Sequence, residues 1–383
     1  MMLLRVWERK FPAEVRASET ADINGDGVDE ILVASWDARI YTLSGSGEIL
    51  WRIEKQEYPC ENVRAIYDSR EKPIEIVASF HRNLVAFDLQ GNKEWSVSFE
   101  SWITRIIPLH RRGKYDNILI TDLKGNMVML DFEGGMCWQK KASANPWSNS
   151  LDYVEEKSII LVSHGEFIDA YDLDGVRTKR IRVGSKALSV AEGRLLSKNM
   201  GLIAVGCEAG IRIYHDDFSL AQKIRLKNQG RFMAIRFADI DGDGDDELII
   251  GSWIGDKINI YNYDEEQHAF RSRKTIRLSS NPINISCHDV DGDGRSEVFI
   301  TDGDGKIYLL EKDGIRKMDT MCTYHGVVFG NVLGYGDGDI VARINKETIS
   351  CYISIPRFYV EFDGDYTCLL YTSDAADDGE SVD

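Results

Sequence analysis

The sequence predicts an all-β ring of four-stranded blades, a β-propeller, and three observations carry the prediction. A pair of strand-like runs recurs at a period of about 40 to 50 residues through most of the 383-residue chain. Three copies share an almost identical acidic loop in front of the first run. A D-x-x-G-x-x-x-W turn recurs behind the second run in several copies. Each unit therefore reads as four short strands joined by turns. One unit cannot cover both faces of its own sheet, so neighbours must stack and the array must close on itself.

The best-kept units are 21–35, 238–252 and 288–302, each an acidic loop running into a Val/Ile-rich strand. A polar turn and another strand follow each one, at 39–43, 257–261 and 306–310. Weaker copies at 74–87, 117–130, 159–171, 201–214 and 339–352 keep the strands and lose the acids. Asp88-Leu-Gln-Gly91 and Asp131-Phe-Glu-Gly134 precede Trp95 and Trp138; Ser44 and Gly47 precede Trp51; Asp172 and Gly175 precede Lys179. Gly supplies the positive-φ turn position, and the Trp residues read as packing between units. Blades start near Val15, Val63, Ile103, Ser148, Leu188, Phe232, Ile283 and Val327. The last lacks a fourth strand, and residues 3–11 look like a fourth strand without the other three. Eight blades closed by the N-terminal strand are the favoured reading; seven are the alternative. Residues 1–366 form one domain in this reading. Residues 367–383 resemble a translated sequencing adapter and are expected to be a non-native tail.

Composition narrows the function. Hydrophobic residues make up 43% and charged residues 28%, a globular balance. The net charge of −17 disfavours nucleic acid and anionic membrane surfaces. No apolar run approaches the ~20 residues of a membrane span. The N-terminus lacks the pattern of a signal peptide, and seven dispersed Cys contain no CxxC pair. A reducing, cytoplasmic setting is the expectation, or an extracellular one if the true start is missing. No G-x-S-x-G, HExxH or P-loop occurs, and the seven His form no local ligand set.

The acidic loops have the spacing to wrap a hard cation, which takes 6–8 oxygens. Side chains at positions one, three, five and nine and a carbonyl at seven are the predicted ligands. They are Asp22, Asn24, Asp26, Val28 (carbonyl) and Glu30; Asp239, Asp241, Asp243, Asp245 (carbonyl) and Glu247; and Asp289, Asp291, Asp293, Arg295 (carbonyl) and Glu297. Acids this close repel one another unless a cation lies among them. Asp302-Gly-Asp-Gly305 reads instead as a hairpin turn. A strand follows each loop and the closing acid comes at nine, so these are not EF-hands. They resemble the calcium loops of FG-GAP (VCBS, integrin-α-like) propeller repeats. The Trp turns resemble the PQQ-like propeller repeat. The resemblance implies about three Ca2+ sites that rigidify the blades, and a propeller used as a binding platform with no enzyme activity of its own.

Strands alternate in direction, so loops sort onto two faces. The face opposite the acidic loops collects Trp36, Phe80, His81, Arg82, His164 and Trp253 from turns. Tyr58, Trp102, Trp147 and Arg231 join them from the links between blades. Aromatic and Arg side chains at loops mark binding hot spots. The expected function is a non-enzymatic scaffold with a protein or peptide partner. A glycan-binding or polysaccharide lyase-like propeller, or a quinoprotein-like one, is the alternative.

Overall fold

The computed structural model describes residues 2–110, 114–141, 151–226, 229–311, 314–321, 327–336, 338–355, 360–362 and 365–367. Eight antiparallel sheets of four strands follow one another around a ring. Blade 1 spans 15–52, blade 2 60–98, blade 3 103–141 and blade 4 151–182. Blade 5 spans 187–224, blade 6 230–277 and blade 7 282–321. Blade 8 takes three strands from 327–355 and its fourth from Met2–Lys10. Observed blade starts fall within three residues of those expected.

Met2–Lys10 pairs antiparallel with Thr348–Ile355, from Met2↔Ile355 to Lys10↔Thr348. Phe11 N–H and Val15 N–H donate to the carbonyls of Glu347 and Lys346 at 2.7 Å each. The Phe11 ring is buried edge-on against Tyr41 of blade 1, with centroids 5.2 Å apart. The chain start is thus fastened to both end blades, and the ring closes as the sequence predicts.

Burial grades outward along each blade. First strands of neighbouring blades touch, which places them at the inner rim. Glu19 of blade 1 pairs there with Arg64 of blade 2 at 3.1 Å. Second strands are buried on both faces, as in Glu30–Ser35, and read as continuous hydrophobic runs for that reason. Fourth strands such as Lys93–Ser98 face solvent and keep Trp as their one large half-buried residue.

The recurrent Trp and Gly meet across the seams. Each Trp ring lies under the turn of the next blade, so Trp7 faces Gly47, Trp51 Gly91, Trp95 Gly134 and Trp138 Gly175. A Cβ on any of these glycines would fall within 2.9 Å of the ring. The Trp7 and Trp138 indole N–H groups also donate to Gly45 O and Leu173 O at 2.7 Å. Each Asp that opens a turn folds it by accepting N–H groups two and four residues on, as Asp131 does from Glu133 at 3.1 Å and Gly135 at 2.6 Å. At the blade 4/5 seam Lys179 replaces Trp, and its ammonium lies 5.9 Å over the Phe218 ring. At the 5/6 seam the Gln222 amide exchanges two hydrogen bonds with the Phe270 backbone, at 2.7 and 2.9 Å.

Gly134→Ala should place a Cβ 2.7 Å from the Trp95 ring at a φ of +80°. Left-handed strain and overpacking together should cost roughly 2–4 kcal/mol, read as a fall in Tm. An unchanged Tm would show that this seam gives way freely.

Candidate cation sites and an aromatic pocket

The three acidic loops join the first and second strands of blades 1, 6 and 7. Their hydrogen bonds repeat almost one for one. The first Asp folds the loop by accepting backbone N–H groups. Asp22 accepts from Gly25 and Gly27 at 2.7 and 2.9 Å, Asp239 from Gly242 and Gly244 at 2.6 and 2.8 Å, and Asp289 from Gly292 and Gly294 at 2.8 and 2.9 Å. Those glycines have φ between +71° and +87°, which is why the loops need them. The closing Glu presents one oxygen to the second loop residue: Glu30 to Ile23 N at 3.1 Å, Glu247 to Ile240 N at 2.8 Å, Glu297 to Val290 N at 3.0 Å. The other oxygen is left to face the loop.

Carboxylate oxygens of Asp239, Asp241 and Glu247 lie within 4.8 Å of one another, and so do those of Asp289, Asp291 and Glu297. Asp241 Oδ1 and Asp291 Oδ1 are buried with no hydrogen-bond partner. Asp243 and Asp293 stand outside these triads and accept the N–H of Asp245 and Arg295 at 2.8 and 2.9 Å. Those N–H bonds fix the backbone at the two seventh positions, and Val28 N donates likewise to Asp26 at 2.8 Å. In the first loop the Asn24 amide donates to Asp26 at 3.0 Å and Glu30 at 2.7 Å. Burial, reinforced by neighbouring Asp charges, pushes the closing carboxyls up to about 7 for Glu30, about 8 for Glu247 and about 7 for Glu297.

A further acid, unnoticed in the sequence, couples two of these loops to the ring. Asp246 accepts Arg194 N at 2.6 Å and returns its own N–H to Arg194 O at 3.0 Å, tying blade 6 to blade 5. Asp29 does the same with Asn331 of blade 8 at 2.9 and 2.8 Å. Asp116 repeats it between blades 3 and 2 with Tyr67, at 2.9 and 3.1 Å, although blade 3 has no acidic loop. The shared signal was an Asp directly before each second strand, masked in two cases by the richer acidic motif.

The opposite face holds a compact aromatic site at blades 1 and 2. Trp36, Pro59, Glu61, His81 and Trp102 line a pocket of about 200 Å3. The His81 ring lies between Tyr58 and Trp102, with centroids 5.1 and 4.9 Å away. Glu61 is consumed by the Trp36 indole N–H at 3.0 Å and Arg16 Nε at 3.1 Å, and the Arg16 guanidinium covers one face of Trp36 at 4.9 Å. The open walls are therefore ring faces and Pro59. Trp36 remains 43% exposed.

The structure gathers Trp36, Tyr58, His81 and Trp102 and scatters the rest of the predicted face. Phe80 is a correction: it is 2% exposed and packs against Phe87, so it is core. Its strand position points inward while the next residue turns out. Arg82 is exposed beside the pocket on the same turn. His164 is engaged by Asp169 at 2.9 Å. Arg231 and the 41% exposed Trp253 sit on blade 6, apart from the cluster. Trp147 lies outside the described residues. Asp302 accepts the N–H groups of Asp304 and Lys306 at 3.0 and 2.9 Å, so 302–305 is the expected hairpin turn.

Fold and site together define an eight-bladed β-propeller with acidic loops on one face and an aromatic pocket on the other. Within it, residues 17–104 match the family model described as the lambda-carrageenase β-propeller domain. These residues include the first acidic loop and the aromatic pocket. Lambda-carrageenases from Pseudoalteromonas sp and Pseudoalteromonas carrageenovora are 33% and 31% identical over 70 residues. That stretch is 18% of this chain and only 7% of the length of these curated relatives. Among solved structures, Sqt1 of Saccharomyces cerevisiae aligns over 93% of this chain and 100% of its own, at 11% identity and a TM-score of 0.67. BamB from Moraxella catarrhalis aligns over 92% and 98%, at 13% and 0.62. BBS1N, solved in complex with ARL6DN, aligns over 92% and 96%, at 11% and 0.55. At these identities the likeness is one of fold.

The closing carboxyls set an expected pH dependence. Their folded pKa values lie above 4.5, the ordinary value of a Glu carboxyl. Protonated, they stabilise the fold, and this contribution falls as pH climbs through about 7 to 8. In chelator, Tm should therefore decline from pH 6 to pH 8.5. A flat profile would mean that the three carboxyls stay ionised in the folded protein.

Proposed function

We propose that this protein is a non-enzymatic, calcium-stabilised propeller of the FG-GAP/VCBS kind that serves as an interaction scaffold. Its partner is a protein or peptide docked at the blade 1–2 pocket, and its setting is the cytoplasm. The pocket is the observation that carries the reading. Two Trp rings and a His ring converge on a site whose one carboxylate is already satisfied, which suits an apolar or aromatic side chain. That BBS1N was solved in complex with ARL6DN supports a platform role for this fold.

The donor sets fit calcium. Two Ca–O bonds of about 2.4 Å span at most about 4.8 Å, and the carboxylate oxygens of each triad lie within that distance of one another. Asp241 and Asp291 each hold a buried oxygen in need of a partner. Asp239, Asp241 and Glu247 would hold one ion, and Asp289, Asp291 and Glu297 another. Asp22, Asn24, Asp26 and Glu30 would hold a third once the Asn24 amide turns its oxygen inward. Bound calcium would supply only charge neutralisation and cross-linking of each loop. The blade 1 and blade 6 loops lead directly into the Asp29 and Asp246 seam contacts, so a rigid loop there stiffens the ring. A glycan is the second reading, favoured by the match of residues 17–104 to a lambda-carrageenase propeller.

Calcium at a hundred times its Kd should add about 2.7 kcal/mol per site, read as a rise in Tm over the chelator control. A response at micromolar calcium or below suits the cytoplasm, and one confined to millimolar calcium suits an exported protein. Peptides selected from a displayed library on the wild-type protein should bind Trp36→Ala/Trp102→Ala at least about tenfold more weakly. Equal binding would remove the pocket as the partner site. Retardation by lambda-carrageenan, lost in the same variant, would favour the glycan instead.

A further inference from the structure

The three loops are not equivalent, and the difference comes from outside them. In blade 6, Arg273 Nη1 stands 2.8 Å from Asp241 Oδ2 and 3.9 Å from Glu247 Oε1. It therefore lies against two of the three carboxylates of that triad. Asn262 holds it there: Asn262 Oδ1 accepts from Nη1 at 3.5 Å, and Asn262 Nδ2 reaches Asp241 at 3.4 Å. The placement follows from a bulge. The fourth strand of blade 6 passes from Tyr261↔Ser272 to Ile260↔Lys274, and Arg273 is the extra residue. In blade 1 the same register shift leaves Leu50 as the extra residue, an apolar side chain that cannot neutralise an acid. In blade 7, no described Lys or Arg pairs with Asp289, Asp291 or Glu297; Arg295 reaches only Asp293, at 3.6 Å.

We propose that Arg273 is an internal counter-cation of the blade 6 loop, so that a divalent cation binds there by displacing a guanidinium, whereas the blade 7 loop binds without displacement. The inference rests on the cation reading of the loops and adds a ranking to it. A charge-assisted hydrogen bond must break before Asp241 can turn both oxygens to the ion. The blade 6 site is therefore the weaker of the two despite its extra acid, Asp245, whose carboxylate is tied to Ser197 of blade 5 at 2.6 and 2.8 Å. Filling it releases Arg273 from the loop and exposes a positive charge on the outer edge of blade 6. At low calcium Arg273 keeps the loop folded; at high calcium the ion takes over.

Calcium titration calorimetry on the full chain, run on wild type, Arg273→Gln, Arg273→Lys and Asp241→Asn, tests this. Wild type should show a tighter and a weaker class of sites. Asp241→Asn should remove binding from the weaker class. Arg273→Gln should tighten that class by about tenfold or more, while Arg273→Lys, which keeps the charge, should stay near wild type. In chelator, Arg273→Gln should melt below wild type, and it should gain more from calcium than wild type does. If Arg273→Gln leaves the weaker class unchanged or weakens it, Arg273 is a structural support and the displacement is wrong. Absence of calcium heat from wild type and every variant would overturn the cation reading itself and this ranking with it.

Discussion

Every blade depends on its neighbour to cover a sheet face that it cannot cover alone. The second and third strands of each blade are buried on both sides, and the covering surface always comes from the next sheet. A ring satisfies this for every blade at once, but only if the last sheet is completed. Met2–Lys10 does so, and Phe11 and Val15 carry the closure into blade 1. The two ends of the propeller are thereby held by hydrogen bonds between segments more than three hundred residues apart.

Around this frame the seams are fastened in different ways. Four carry an indole beneath a glycine turn, one carries an ammonium over a phenyl ring, and one carries an amide paired with backbone. The 4/5 seam, without its Trp, also holds a cleft of about 230 Å3 bridged by Lys157 and Asp216 at 2.5 Å. On the acidic face, Asp29, Asp116 and Asp246 add a second fastening nearer the inner strands. In blades 1 and 6 loop geometry and ring rigidity are coupled, because the Asp that grips the neighbour directly precedes the Glu that closes the loop.

The two faces divide the chemistry. One concentrates carboxylates that repel unless neutralised, and the protein already supplies partial answers in the Asn24 amide and the Arg273 guanidinium. The other offers ring surfaces at blades 1 and 2, where the Glu61 carboxylate is already taken by Trp36 and Arg16. Seating both on turns of a closed ring separates them by the thickness of a blade.

Strand period, turn chemistry and the acidic loops were legible in the sequence because each is local. The glycines between closing acids, the Asp that folds each turn, and the eight blades closed by the N-terminal strand all follow from short-range pattern. Tertiary structure decided what lies between units. That Phe80 is core while His81 turns outward depends on one residue of strand register. That Trp36 and Trp102, distant in the chain, share a pocket depends on the angle between two blades. The grip of Asp246 on Arg194 and the reach of Arg273 into a loop 32 residues away depend on strand stacking and a single bulge. Local repeats specify the blade; strand register within a blade and packing between blades set which charges and rings meet, because those partners share no sequence neighbourhood.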